Sequence, residues 1–117
     1  MVYDLEYRGK PAQTRERLAV TRLGEKLYLE LSQPISNDSC YWEFLNERGE
    51  GVHHLSFAVS DVDDATKRMT EQGFTCLQRG CWGDNGAYAY MDMKPLHVIW
   101  EVYRKPDSLG IEPTRYP

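Results

Sequence analysis

Three titratable side chains lie in the middle of otherwise apolar segments. Glu30 lies in LYLELSQ, His54 in VHHLSFAV and Glu101 in HVIWEVY. Each segment alternates in the manner of a β-strand, so each of these residues shares a face opposite the most apolar side chains. If the sheet curves around a cleft, the three side chains converge there. One imidazole and two carboxylates suit a divalent metal such as Zn, Co, Mn, Ni or Fe, which can polarise a carbonyl and stabilise an enolate.

A second interpretation of the same pattern needs no metal. Polar residues at alternate strand positions are typical of the solvated face of an antiparallel sheet. No local motif such as H-E-x-x-H decides between the two interpretations. Both stay open at the level of residue pattern alone.

The other two histidines are weaker candidates for a site. His53 is adjacent to His54, and strand alternation places it on the opposite face, where it packs or meets solvent. His97 begins a predicted strand and is expected at a rim. The three glycines of the segment 80–86 lack the strand–turn–helix context of a nucleotide-binding loop and predict a flexible hairpin loop.

The composition excludes several classes of function. The chain has 117 residues and a net charge of −4, which suits one domain and disfavours nucleic acid and anionic membrane surfaces as partners. No apolar run approaches the roughly 20 residues of a membrane span, and the first ten residues lack a signal-peptide core. Three cysteines without a secretory signal predict reduced thiols and a cytoplasmic protein.

The periodicities predict a single α+β domain built from short strands and two helices. From residue 52 onward the order is strand, helix, strand, strand, strand, whereas residues 1–34 contribute three strands only. Strands are predicted over 2–8, 15–23, 27–33, 52–59, 74–79, 87–92 and 97–103, with helices over about 36–49 and 60–73.

Four segments together resemble the vicinal oxygen chelate superfamily, which includes glyoxalase I, bleomycin-resistance proteins and extradiol dioxygenases. They are LYLELSQP, SNDSCYWEFLNERGEG, VHHLSFAVSDVDDA and HVIWEV. The helix ending in ERGEG followed by VHHLSF is most similar to the methylmalonyl-CoA epimerases of that superfamily. The resemblance covers roughly residues 2–104.

The resemblance implies a fold of paired βαβββ modules whose mixed sheets curl into a cleft. Residues 1–34 would be an incomplete first module, 35–51 a linking helix, 52–104 a complete second module and 105–117 a tail. The first strand and helix of the first module are missing from this sequence. Either the protein starts further upstream or this is a natural short form.

The resemblance also implies the metal ligands Glu30, His54 and Glu101, which are the residues that alternation places on the polar faces. Glu30 departs from the Gln typical of epimerases. The fourth ligand of the family, a histidine on the first strand, has no counterpart here. The implied cofactor is a divalent metal ion (Co, Mn, Ni, Zn or Fe).

The implied function is that of a metal-dependent lyase or isomerase. The reaction would be proton abstraction next to a metal-bound carbonyl, as in epimerisation of an acyl thioester. Two bases on opposite sides of the carbon are needed, with Glu101 as ligand and base and Glu16 as its partner. We expect a small-molecule substrate and a homodimer.

Two non-catalytic alternatives remain. The chain could be a small-molecule-binding module of the bleomycin-resistance type, since superfamily members of that kind use the same cleft without turnover. It could also be a relative that keeps the ligands without activity. The binding module would use an aromatic lining of Tyr28, Tyr88, Tyr90 and Trp82.

Overall fold

The computed structural model describes residues 2–109 and confirms the predicted α+β class. Eight strands, two α-helices and two short 3-10 helices make up this part of the chain. In chain order the strands and α-helices are β1 (Val2–Tyr7), β2 (Lys10–Pro11), β3 (Glu16–Arg22), β4 (Tyr28–Pro34), α1 (Cys40–Arg48), β5 (His54–Ala58), α2 (Val62–Glu71), β6 (Thr75–Trp82), β7 (Gly86–Met93) and β8 (Val98–Arg104); the 3-10 helices are Lys94–Leu96 and Asp107–Leu109.

The strands form one large mixed sheet and one separate hairpin. The six-stranded sheet has the order β2-β1-β6-β7-β8-β5, and β3 pairs with β4 in the hairpin. β5 and β8 are parallel, whereas the other neighbouring pairs are antiparallel. The pairing of β1 with β6 joins the first part of the chain to the strands that follow α2.

The two α-helices cover opposite faces of the six-stranded sheet. Strand alternation decides which side chains go to which helix, because successive residues of a strand point to opposite faces. Tyr90 packs with Cys40 and Tyr41 of α1, whereas its neighbours Ala89 and Met91 pack with Val62 of α2. The core is therefore two thin apolar layers with the sheet between them.

The ends of both helices follow from local chemistry. The Ser39 hydroxyl caps α1 by accepting from the backbone N–H of Trp42 at 3.1 Å, and the Asp61 carboxylate caps α2 by accepting from Asp64 N–H at 2.9 Å. Gly49 ends α1 with a φ of 76°, a conformation that costs glycine little.

The β3–β4 hairpin has one covered face and one exposed face. Within residues 2–109, β4 pairs with β3 alone. Leu29 and Leu31 lie on the outer face and are 42% and 60% exposed. Two backbone bonds, from Ile35 N–H to Arg15 O at 2.9 Å and from Leu23 N–H to Leu27 O at 2.8 Å, close the ends of the hairpin.

Two predicted strand boundaries are wrong. The predicted loop at 80–86 shrinks to 83–85, because β6 extends to Trp82 and β7 begins at Gly86. A Cβ at Gly86 would collide with the Trp82 carbonyl oxygen, so the close strand approach needs this glycine. His97 does not begin a strand; it lies in a left-handed conformation after the Lys94–Leu96 turn.

The apolar face of β5 is only partly covered. Leu55 and Phe57 are 48% and 43% exposed, because α2 covers β6, β7 and β8 rather than the edge strand β5. The division of the chain into modules stays a prediction, and of the predicted tail, residues 110–117 lie outside the described part. Among the helices of residues 2–109, none has the length and apolarity needed to cross a membrane.

Gln78 of β6 links the sheet to the start of α1 through a buried hydrogen bond. Its side chain is 1% exposed, and its Oε1 accepts from the backbone N–H of Cys40 at 3.0 Å. Replacing it with the similarly shaped Met leaves that buried N–H without a partner. We expect Gln78→Met to lower the free energy of unfolding by about 1–3 kcal/mol in urea titrations. The control Gln33→Met, at an exposed position of β4, should change it by less than about 0.5 kcal/mol, and equal losses would contradict this role of Gln78.

Candidate active site

Four titratable side chains from four strands converge on the space between the hairpin and the sheet. Glu16 of β3 and Glu30 of β4 come from the hairpin, whereas His54 of β5 and Glu101 of β8 come from the sheet. The Nε2 atom of His54 lies 3.7 Å from Glu30 Oε1 and 3.5 Å from Glu101 Oε2. The carboxyl of Glu16 lies close enough to the other three side chains for their charges to act on it.

The strand registers explain this convergence. His54 is paired with Ile99 in the parallel β5–β8 ladder, and Ser56 is paired with Glu101, so His54 and Glu101 are diagonal neighbours on one face. On the hairpin, Val20 is paired with Glu30, and Glu16 lies four residues from Val20 on the same strand. The period of two therefore keeps Glu16 and Glu30 on one face of the hairpin.

Serine hydroxyls hold two of the carboxylates. The Ser56 hydroxyl donates a short hydrogen bond to Glu101 Oε2, and the Ser32 hydroxyl donates to Glu30 Oε1 at 3.4 Å. The side chain of Glu101 is 13% exposed and that of His54 is 10% exposed. Ser56 was not singled out from the sequence, although its position two residues after His54 on the same strand face would have indicated it.

Burial and mutual repulsion raise the pKa values of the hairpin acids. Burial, followed by the negative charge of Glu30, raises the pKa of Glu16 to about 7, although a hydrogen bond with Tyr41 opposes the rise. Burial and the charge of Glu101 likewise raise the pKa of Glu30. Within residues 2–109, the buried Oε2 of Glu16 has no hydrogen-bond partner. The site therefore holds a carboxylate that can change protonation near neutral pH.

His53 does not point away from His54 as the sequence predicted. Its Nδ1 lies 3.0 Å from His54 Nδ1, and its Nε2 lies 3.3 Å from the Cys40 carbonyl oxygen. The alternation rule fails because β5 begins at His54, so His53 lies outside the strand. Burial lowers the pKa of His53 to about 4, which keeps its imidazole neutral.

The aromatic residues near the site belong to the packing of α1. The ring of Tyr90 lies edge-on to His54 with centroids 4.9 Å apart, and its hydroxyl accepts from Tyr41 at 2.8 Å. Tyr90 is 2% exposed, and Tyr88 packs against the same core cluster. Tyr90 therefore backs the His54 ring from the core side, and Tyr88 lies next to Tyr90.

A divalent metal requires several donor atoms at a defined spacing from one another. As they stand, the residues 2–109 contain no group of three or more His, Cys, Asp or Glu side chains arranged to hold a metal ion. Ligand atoms bound tetrahedrally at about 2.1 Å lie roughly 3.4 Å from one another. The distances of 3.5 and 3.7 Å from His54 Nε2 to the two carboxylates are close to that spacing. The spacing of Glu30 and Glu101 around His54 Nε2 therefore fits a divalent cation.

A cavity of about 280 Å³ lies apart from these four side chains. Its walls come from α1, β6, β7, β8, the turn before β8 and Arg8 after β1, and they include Glu43 and Arg48. His97, predicted at a rim, lines this cavity and does not join the acidic cluster. In the structure His97 thus lines a surface cavity and belongs to no catalytic group.

Comparisons with known proteins agree with this architecture. A sequence model of the Glyoxalase/Bleomycin resistance protein/Dioxygenase superfamily matches residues 3–90. The chain belongs to this superfamily. Glu16 and Glu30 of the hairpin and His54 of the sheet lie within the matched residues, whereas Glu101 follows them. Among curated protein sequences, none matches the chain.

Several solved structures share the superfamily fold. A variant of the methylmalonyl-CoA epimerase from Streptomyces coelicolor, in complex with 2-nitronate-propionyl-CoA, is 24% identical with a TM-score of 0.63, over 90% of this chain and 80% of that chain. A methylmalonyl-CoA epimerase in complex with methylmalonyl-CoA and NH4+ is 25% identical with a TM-score of 0.58, over 90% and 80% of the two chains. The epimerase from Mycobacterium tuberculosis is 24% identical with a TM-score of 0.61, over 85% and 67%.

The raised pKa of Glu16 predicts a pH-dependent effect on stability. The unfolded chain ionises Glu16 near its ordinary pKa of 4.5, whereas the folded chain does so at about 7. Stability from this group is therefore full at low pH and is lost as pH rises between these values. Glu16→Gln, which cannot ionise, should gain in Tm relative to the parent protein as pH rises from about 5 to about 8, in metal-free buffer. A Tm difference that stays constant over this range would contradict the raised pKa of the buried Glu16 carboxyl.

Proposed function

We propose that this protein is a metal-dependent isomerase that moves a proton on the carbon next to a carbonyl, in the manner of an epimerase acting on an acyl thioester. The observation that carries the proposal is the Glu16 carboxyl, whose pKa is near 7 and whose Oε2 has no hydrogen-bond partner within residues 2–109, beside His54 and two further carboxylates. Superfamily membership and the likeness to epimerases support an isomerase-type enzyme with a small-molecule ligand.

In this proposal the metal is held by Glu30, His54 and Glu101. His54 provides the nitrogen donor and the two carboxylates provide oxygen, a mixture that suits Co, Mn, Ni, Zn or Fe. A bound divalent metal supplies polarisation of the substrate carbonyl and stabilises negative charge on its oxygen. The hydroxyls of Ser56 and Ser32 keep the two carboxylates oriented towards His54.

Glu16 is the proposed base. A base works best when its pKa is near the working pH, and a carboxylate that binds no metal keeps more of its basicity. Glu16 takes the proton from the carbon next to the carbonyl, and the electron pair of the broken C–H bond moves onto the carbonyl oxygen. Return of a proton to the opposite side of the carbon inverts its configuration. Glu101, on the sheet side of the cluster, is the candidate for that second transfer. It starts the cycle protonated and gives its proton to the carbon, and proton exchange with solvent then returns Glu16 to its ionised form and Glu101 to its protonated form.

The binding-module alternative loses part of its basis. It relied on Tyr88 and Tyr90 as an exposed aromatic lining, but both rings pack against the core cluster under α1. The ring of Tyr90 also packs against the rings of His54 and His53 and not along an open cleft. The cytoplasmic location and the homodimer stay predictions.

Metal content after a single substitution tests the ligand assignment. His54→Ala should reduce the bound metal from about one per chain to near zero, as measured by elemental analysis of untagged protein stripped with a chelator and then reloaded. His97→Ala is the matched control, since His97 lies at a separate cavity and should leave the metal content unchanged. Equal metal content in both variants would remove His54 from the ligand set.

Isotope exchange tests the base. With metal-loaded protein and methylmalonyl-CoA as the probe, the hydrogen next to the carbonyl should exchange with solvent deuterium, followed by NMR. Glu16→Gln should slow this exchange by roughly 10²–10⁴-fold while the metal content stays the same, because only proton transfer is lost. Exchange at the parental rate in this variant would exclude Glu16 as the base, and no exchange with the parent protein would exclude this substrate class.

A further inference from the structure

A chain of hydrogen bonds runs from the start of α1 through His53 and ends at His54. The Cys40 carbonyl oxygen lies 3.3 Å from His53 Nε2, and His53 Nδ1 lies 3.0 Å from His54 Nδ1. The far side of the His54 ring presents Nε2 to Glu30 and Glu101. Three consecutive polar groups therefore link the start of α1 to the acidic cluster.

The positions of the protons in this chain follow by elimination. A carbonyl oxygen only accepts, so the proton of the first bond must be on His53 Nε2. A neutral imidazole carries one proton, so His53 Nδ1 is then an acceptor. The second bond needs one proton between two nitrogens, and that proton must be on His54 Nδ1. A neutral His54 consequently has no proton on Nε2.

The surroundings of His53 hold it in this arrangement. Its ring contacts Tyr41, Phe44 and Tyr90, with centroid distances of 5.1, 5.2 and 5.7 Å. These contacts fix the plane of the ring, so both nitrogens stay aligned with their partners.

We propose that His53 is a positioning residue that sets the tautomer of His54, using the Cys40 carbonyl as its reference, so that the lone pair of His54 Nε2 faces Glu30 and Glu101. A lone pair opposite two carboxylates is unfavourable unless a cation lies between them. The arrangement thus prepares the cluster for a cation before any cation binds. The part of this proposal that concerns a metal rests on the proposed function, whereas the tautomer does not.

The test uses two substitutions at the same position. His53→Phe keeps a ring in the aromatic pocket but removes the acceptor for His54 Nδ1–H. His53→Gln restores both bonds, because its amide nitrogen can donate to Cys40 O and its amide oxygen can accept from His54. Thermal unfolding of each variant, alongside the parent protein, reports whether packing is preserved.

The primary measurement is the tautomer of His54 in metal-free protein, from long-range ¹H–¹⁵N NMR of ¹⁵N-histidine-labelled samples. We expect a proton on His54 Nδ1 in the parent protein and in His53→Gln. In His53→Phe the neutral ring should shift towards the Nε2-protonated form, in which the carboxylates accept the proton. An unprotonated Nδ1 in the parent protein, or an unchanged tautomer in His53→Phe, would overturn the proposal.

The second measurement is Zn²⁺ affinity by titration calorimetry. Loss of a hydrogen-bond partner behind a metal-bound histidine typically costs 10–100-fold in affinity, and we expect a loss of that size in His53→Phe, with recovery in His53→Gln. Equal affinity in all three proteins would refute the role in metal binding. If the parent protein binds no Zn²⁺, the proposed function fails, but the NMR result still decides the tautomer.

Discussion

The structure is governed by the cost of holding three carboxylates next to one another away from water. Like charges in a desolvated space raise each other's pKa, and a buried charge without a partner is more costly than a paired one. Glu16 and Glu30 both carry raised pKa values from this cause. The protein offsets the cost only in part, through the Ser56 and Ser32 hydroxyls. Carboxylates whose pKa values stay raised in this way are typical of sites that bind or transfer charge.

Much of this arrangement was predictable from strand alternation. Glu30, His54 and Glu101 each lie well inside or at the start of a regular strand, where a period of two fixes the face of a side chain whatever surrounds it. The α+β class followed from the same periodicities.

Other features depend on tertiary contacts that a single sequence does not encode locally. His53 was misplaced because β5 begins at His54, two residues later than predicted, and its orientation comes from the rings of α1. The exposure of Leu55 and Phe57 depends on how far α2 reaches across the sheet, which the pattern of their own strand does not encode. The predicted loop at 80–86 failed for a similar reason, since pairing of Trp82 with Gly86 extends both strands.

The acids are divided between two structural units, and this division links binding to folding. Glu16 and Glu30 belong to the hairpin, whose outer leucines are exposed, whereas His54 and Glu101 belong to the six-stranded sheet. Repulsion between the carboxylates therefore acts across the junction of hairpin and sheet. A cation between them would replace that repulsion with attraction at the same junction, and any ligand that prefers the joined state stabilises it by its binding free energy. The His53–His54 pair lies on the sheet side and is held by the Cys40 carbonyl of α1 and by the ring of Tyr90 from β7. One half of the site is thus fixed by the core, whereas the other half belongs to a hairpin whose carboxylates repel that of the sheet.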